Sequence, residues 1–330
     1  MNSTFSSQNA DNMSRKSEFS NWFSLEGPCV QSKLPHHLEA LRGRRRSKIV
    51  VLILFVKFEH SHIFRFDWYH RRVIIPLALS RAYAGTEHFE AMLEKFRQRS
   101  YELENIDKGT YTPEEYEGCI VELQRVNEWL GDAKALRSSL LKEIESQDLR
   151  SFSILDVGAG SGELLRVAAQ WARDTDRTPS LIGLELNERS AQAILEESKA
   201  FPEISSVRGS GLKLPFPDAS VDYVISSLTL HHFDDDGAVN ILREMGRVAR
   251  RGVFVIDLHR NPLAYFFYTT VGHIILHNRL LREDGALSIL RSFTPDELEI
   301  LGQQAGLKNA IVKKYFPSRL VLSAKLNGTV

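Results

Sequence analysis

From Ser153 onward, short apolar runs alternate with longer segments whose apolar residues recur at helical spacing. "SILDVG", "SLIGLEL", "ISSVRG", "VDYVISS" and "VFVIDL" are four to eight residues of mostly β-branched and apolar character, which predicts buried strands. Between them "GELLRVAAQWARD", "NERSAQAILEESKA" and "DGAVNILREMGRVAR" predict amphipathic helices. Helix "TPDELEILGQQAG" follows, and then "NAIVKKYF" and "RLVLSAKL", joined by a short "PS" turn, predict an antiparallel hairpin. Repeating β-α units demand right-handed crossovers and a parallel sheet covered on both faces. The expected fold is therefore α/β: a doubly wound, mostly parallel seven-stranded sheet closed by a C-terminal antiparallel hairpin.

The first 150 residues follow a different pattern. Residues 1–40 are rich in Ser and Asn without periodicity and read as disordered. Residues 42–85 are basic, β-branched and aromatic. Residues 1–85 together are expected to be disordered or a loosely attached basic-apolar extension. Residues 86–148 form a predicted helical lead-in or cap: "HFEAMLEKFRQRSYELE" opens it, "TPEEYEGCIVELQRVNEWLG" starts with a Thr cap and Pro at the first helical position, and "AKALRSSLLKEIES" ends it. Residues 149–330 are the α/β domain, with an insert at 259–292 after the fifth predicted strand.

Composition adds limits. The 330 residues carry 42 Lys+Arg and 42 Asp+Glu, a net charge of zero, which argues against a protein that holds nucleic acid by charge. The balance hides an asymmetry: residues 42–81 carry a net +8 and residues 87–148 a net −7. The basic-apolar arm at 42–85 suits peripheral contact with an anionic membrane. The apolar run Ile49–Phe58 is too short for the roughly 20 residues that span a bilayer. No secretory signal pattern is present, and two cysteines 90 positions apart make neither a disulfide framework nor a zinc motif. A cytoplasmic protein, membrane-peripheral if the arm is used, is expected.

Ligands of an open α/β sheet gather beyond the carboxyl ends of its strands. The first strand runs into Asp156-Val157-Gly158-Ala159-Gly160-Ser161-Gly162. Three glycines there allow a tight turn and close approach of a ligand to the backbone, with the N-terminus of a helix behind it. The D-x-G-x-G-x-G spacing departs from the dinucleotide pattern G-x-G-x-x-G, and the leading acid suits an ammonium better than a pyrophosphate. The second strand ends in Glu185, whose carboxylate can accept both hydroxyls of a ribose.

"ILDVGAGSGELL", "LIGLELN", "GSGLKLPFPDASVDYVISSLTLHHFDD" and "ILREMGRVARRGVFVIDL", in this order, resemble a class I S-adenosylmethionine-dependent methyltransferase of Rossmann-like fold. They are most similar to the ubiquinone and menaquinone methyltransferase branch, and the lead-in resembles methyltransferases found beside polyketide synthases. The resemblance covers about residues 150–327. It implies that Gly158, Ala159, Gly160 and Gly162 wrap the methionine part of the cofactor, with Asp156 near its amino group. It also implies that Glu185 holds the ribose and Leu186 packs on the adenine. Ser210 stands where relatives carry an aspartate facing the adenine amino group, so adenine recognition shifts toward the backbone N–H of Gly211 or Leu212. Ser226, at the end of the fourth strand, completes the cofactor set.

The transferred methyl is expected beside the turn after that strand. An oxygen acceptor must lose a proton there, and His titrates near neutrality, so His231 and His232 are the candidate catalytic residues. Asp234, Asp235 and Asp236 read as a helix cap, and no metal is expected. In the insert, "LAYFFYTTVGHIILHNRLL" reads as an apolar-aromatic helix placed to roof an acceptor. Two functions follow: methyl transfer to a small hydrophobic acceptor of phenolic, quinone-like or polyketide type, or a non-catalytic cofactor-binding interaction protein of the same fold.

Overall fold

A computed structural model of the chain describes residues 93–326. The expected extension at 1–85 and its basic arm lie outside the described residues. From Lys95 onward the chain forms one compact unit.

Seven strands make one sheet in the order β3-β2-β1-β4-β5-β7-β6. They are β1 (Ser151–Val157), β2 (Thr178–Glu185), β3 (Ile204–Arg208), β4 (Val221–Ser227), β5 (Ala249–Leu258), β6 (Ala310–Tyr315) and β7 (Arg319–Lys325). Strands β1 to β5 are parallel, and β7 runs antiparallel to both β5 and β6. Helices cover both faces, which is why β1, β4 and β5 carry almost unbroken apolar runs. On one face Leu155, Val224, Val253 and Val255 pack with Ile241, Leu242 and Met245; on the other Ile154, Ile225 and Ile256 pack with Leu140, Leu165 and Ala168. The strand order reverses between β1 and β4, so a crevice opens at their carboxyl ends.

The lead-in contains the helix Pro113–Leu130, capped reciprocally by Thr112 and Glu115 and closed by the left-handed Gly131. Its continuation Asp132–Ser146 holds one wider π turn, Arg137–Leu141, and buries Leu136, Leu140, Leu141 and Ile144 against the sheet. Two predicted elements differ. The segment Arg99–Glu104, expected as helix, is an extended strap. Its partners explain this: Arg99 Nε donates to the Arg291 carbonyl at 2.8 Å, Arg99 Nη2 to the Phe233 carbonyl at 2.9 Å, and Ser100 N–H to the Leu290 carbonyl at 3.0 Å. A helix here would turn these groups away from the α/β domain. The insert, expected as one apolar helix, breaks into Pro262–Phe267, a π turn at Tyr268–Gly272, the short His273–Ile275 and the helix Arg279–Arg291. The break falls where Glu122 of the lead-in accepts the N–H groups of His277 (3.0 Å) and Asn278 (2.8 Å). Asn278 then caps the next helix through Leu281 N–H. Among the described residues no helix is long and apolar enough to cross a membrane.

Candidate active site

The loop after β1 is held in shape by its own backbone. Gly158 and Ala159 donate to the Leu184 carbonyl at the end of β2 (2.9 and 3.3 Å), and Gly162 donates to Ala159 (2.8 Å). Gly158, Gly160 and Gly162 all have positive φ, the left-handed region that side chains disfavour. At Gly158 space forbids a side chain as well: a Cβ would lie 2.5 Å from Thr229 Oγ1.

Asp156 is buried just before this loop, and its Oδ1 has no hydrogen-bond partner. Burial and the neighbouring Glu185 charge push its carboxyl up to about 8. A buried carboxylate without a partner is costly, so the position calls for a cationic or donor group from outside the chain. Glu185 closes the opposite wall of the loop. Its Oε1 accepts the Gly160 N–H at 2.6 Å, and burial raises its pKa against that bond and one from Leu186. A carboxylate has acceptor capacity beyond these two bonds, enough for a ligand hydroxyl.

Leu186 and Leu212 flank Glu185 and the Ser210 turn and are both exposed apolar side chains. Ser210 Oγ accepts the Leu212 N–H at 3.2 Å, and Asn240 holds the Leu212 carbonyl at 3.0 Å. Of the two backbone donors expected here, Leu212 is therefore engaged within the turn. Gly211 packs on Val157, where a Cβ would come within 2.9 Å. Ser226 is buried, and its hydroxyl donates to the Val157 carbonyl at 2.8 Å, tying β4 to β1 at the mouth of the crevice.

The adjacent histidines occupy different environments on the turn Leu230–His232. His231 is buried, with Nδ1 2.6 Å from Asp257 Oδ1, and its backbone N–H also meets Asp257 at 3.2 Å. Burial would raise the Asp257 pKa, but His231 and the Leu258 N–H hold it below the usual range. His232 is half-buried, with Nδ1 3.5 Å from Asp107 Oδ1 and 3.9 Å from Glu104 Oε2. Burial would lower its pKa, but Asp107 and Glu104 outweigh this and raise it. Arg291 locks the corner: Nε donates to the His231 carbonyl (3.2 Å), Nη2 to the His232 carbonyl (2.7 Å), and Nη1 to Asp107 (2.8 Å) and the Glu102 carbonyl (2.7 Å). The acidic run plays the expected part, with Asp234 accepting the Gly237 N–H at 2.8 Å.

Sequence reasoning brings the glycine loop, Glu185 and the two histidines forward, and all sit at the strand ends. It misses Asp257, Glu104, Asp107 and Arg291. Asp257 lies at the end of "VFVIDL", where the strand-end rule could have found it. The other three come from the strap, from a four-residue helix and from the insert, and only tertiary contact reveals them.

Residues 155–256 match the family model described as "Methyltransferase domain". The demethylmenaquinone methyltransferase of Bacillus licheniformis is 25% identical over 169 residues, covering 47% of this chain and 70% of its own. That of Shouchella clausii is 24% identical over 233 residues, covering 66% of this chain and 93% of its own. Among solved structures, an S-adenosylmethionine-dependent methyltransferase from Aquifex aeolicus is 16% identical with a TM-score of 0.42, covering 59% of this chain and 90% of its own. The family match runs from Leu155 in β1 to Ile256 in β5 and so takes in the glycine loop, Glu185, the Ser210 turn and both histidines. Residues 155–256 are a methyltransferase domain, and the chain around it is similar to demethylmenaquinone methyltransferases.

Proposed function

We propose that the chain methylates a small hydrophobic acceptor with an ionisable hydroxyl or an activated ring carbon, of phenolic, quinone-like or polyketide type. The observation that carries the acceptor class is the insert after β5, which exposes Leu263, Phe266 and Phe267 and is tied by Arg291 to the His231–His232 turn. An apolar cover at a polar corner suits a flat acceptor with one hydroxyl to place. The demethylmenaquinone methyltransferases among the relatives are named for a quinone acceptor, which supports the same class.

The residues present fit the cofactor. The partnerless Asp156 Oδ1 suits its ammonium, the Glu185 carboxylate its ribose, and Leu186 with the Gly211 backbone its adenine. When bound, S-adenosylmethionine supplies an electrophilic methyl that an acceptor atom displaces in line. The chain's part is then to align the acceptor, exclude water and receive the acceptor's proton at the His231–His232 turn. Expected turnover of His232→Ala is lower by about 10²–10⁴ with cofactor affinity unchanged; near-normal rates in a steady-state assay would remove this residue from the reaction.

Glu185→Ala is expected to weaken cofactor binding roughly 10- to 100-fold, since charged hydrogen bonds of about 1.5–3 kcal/mol each are partly replaced by water. Calorimetry returning equal affinities would place the ribose elsewhere.

Asp156 gives a pH dependence. With its pKa near 8, the free protein carries it protonated at neutral pH, whereas a cofactor ammonium favours the carboxylate. Affinity should therefore rise between about pH 6.5 and 8, with proton release on binding, measured by calorimetry in buffers of different ionisation enthalpy. The raised pKa has the opposite effect on the free fold: this group's stability contribution is full below about 4 and is lost as pH rises through about 8. Asp156→Asn should flatten the binding profile. A profile that stays steep in Asp156→Asn would assign the titration to another group.

The acceptor class is tested by incubating the protein with S-adenosylmethionine and a panel of phenols, quinols and polyketide aromatics, then reading product masses. Methylation confined to hydrophilic amines would reject it.

A further inference from the structure

We propose that Glu104, His231, His232 and Asp107 form a divalent transition-metal site, suited to Zn²⁺, at the histidine corner. One ligating atom each from Glu104, His231 and His232 lies within 4.8 Å of the others. A tetrahedral ion with bonds of about 2.0–2.1 Å needs ligand atoms about 3.3 Å apart. His232 Nδ1 is 3.5 Å from Asp107 Oδ1 and 3.9 Å from Glu104 Oε2, close to that spacing.

Three further observations point to a cation. Asp107 is buried, and its Oδ1, the oxygen facing His232, has no hydrogen-bond partner. Its other oxygen is satisfied by Arg291 and by the Glu104 N–H at 3.1 Å. The unpartnered oxygen is therefore the one aimed into the cluster. Next, Asp257 binds His231 Nδ1 and leaves Nε2 for a ligand, the carboxylate–histidine arrangement that orients metal-bound imidazole. Finally, among the described residues the buried carboxylates Glu104 and Asp107 share one fixed cation, Arg291. Arg99 is turned to Asp235, and Arg260 to Glu297. Two nitrogen donors favour Zn²⁺ over the all-oxygen preference of Mg²⁺.

Ion binding itself does not depend on the acceptor reading. Its use does, and it would replace the base role at the turn: with the ion bound, His231 and His232 are ligands, and an acceptor hydroxyl coordinated here would lose its proton to water, its oxygen keeping the electron pair.

The test is calorimetric titration of the full chain, stripped with chelator and dialysed, with Zn²⁺ and separately with Mg²⁺. One Zn²⁺ per chain at micromolar affinity or tighter is expected, with Mg²⁺ at least about 100-fold weaker. His232→Ala and Glu104→Gln should each weaken Zn²⁺ by about 100-fold. Glu104 also caps a helix, so His232→Ala, on a half-buried side chain, carries the test should Glu104→Gln fail to fold. Co²⁺ in place of Zn²⁺ should give visible ligand-field bands that His232→Ala abolishes. Zn²⁺ binding weaker than about 100 μM, the level of scattered surface histidines, or equal in wild type and His232→Ala, overturns the site. Methyl transfer measured on the same preparations separates the two readings: transfer without bound metal rejects the ion alone, and bound metal without transfer rejects the acceptor class alone.

Discussion

Arg291→Leu is expected to lower stability by about 3–5 kcal/mol, because it removes the cation from a buried charge cluster and leaves its carboxylates behind. Arg291 is buried in the insert helix, yet it bonds the strap at Glu102, the short helix at Asp107 and the carbonyls of both histidines. The same change frees the histidine turn, so turnover should fall with the melting temperature. For a unit of this size, a loss of about 3–5 kcal/mol corresponds to a melting temperature lower by about 10 °C. Differential scanning calorimetry checks the stability effect, and a rate measured well below the transition checks the second. Arg291→Lys should recover part of the stability and little of the geometry, since an ammonium cannot reproduce the guanidinium fork that serves these acceptors together. A melting temperature unchanged in Arg291→Leu would mean that the corner is held by its apolar packing.

Gly158→Ala is expected to reduce cofactor affinity more than about 100-fold and to cost about 2–4 kcal/mol of stability. The added Cβ would sit 2.5 Å from Thr229 Oγ1 and 2.8 Å from its Cγ2, on a residue whose hydroxyl is bonded to the Ser227 carbonyl. The loop must therefore move away from β4, and the loop is the surface a ligand would meet. Gly160→Ala is the contrasting variant: a Cβ there would meet nothing within 4 Å, so only the left-handed backbone opposes it, at about 1 kcal/mol. Isothermal titration of both variants compares the two effects. Equal losses would show that backbone strain, and not the clash with Thr229, governs the loop.

The elements that the chain makes by local rules are legible from residue order. The five parallel strands are plain because each is a short apolar run bounded by turn residues, and the Thr112–Pro113 start is plain because capping chemistry is local. Asp156, the three glycines and Glu185 can be named because strand-end position alone puts them at the crevice. The strap Arg99–Glu104 is not legible, because its helical spacing of apolar residues is overridden by bonds to Phe233, Leu290 and Arg291 far along the chain. The insert escapes for a similar reason: Glu122, 155 residues before His277, claims the N–H groups that a continuous helix would use internally. The histidine pair is visible in the sequence. Its division into a buried His231 on Asp257 and a half-buried His232 facing Asp107 is not, because the acids that make the difference come from β5 and the lead-in.

Incubation of the purified chain with methyl-labelled S-adenosylmethionine and a panel of phenolic, quinol and polyketide acceptors tests the central claim most directly. The account predicts that label moves to at least one hydrophobic acceptor with stoichiometric release of S-adenosylhomocysteine, and that Glu185→Ala reduces both together. Tight cofactor binding with no S-adenosylhomocysteine formed from any acceptor in the panel would contradict it.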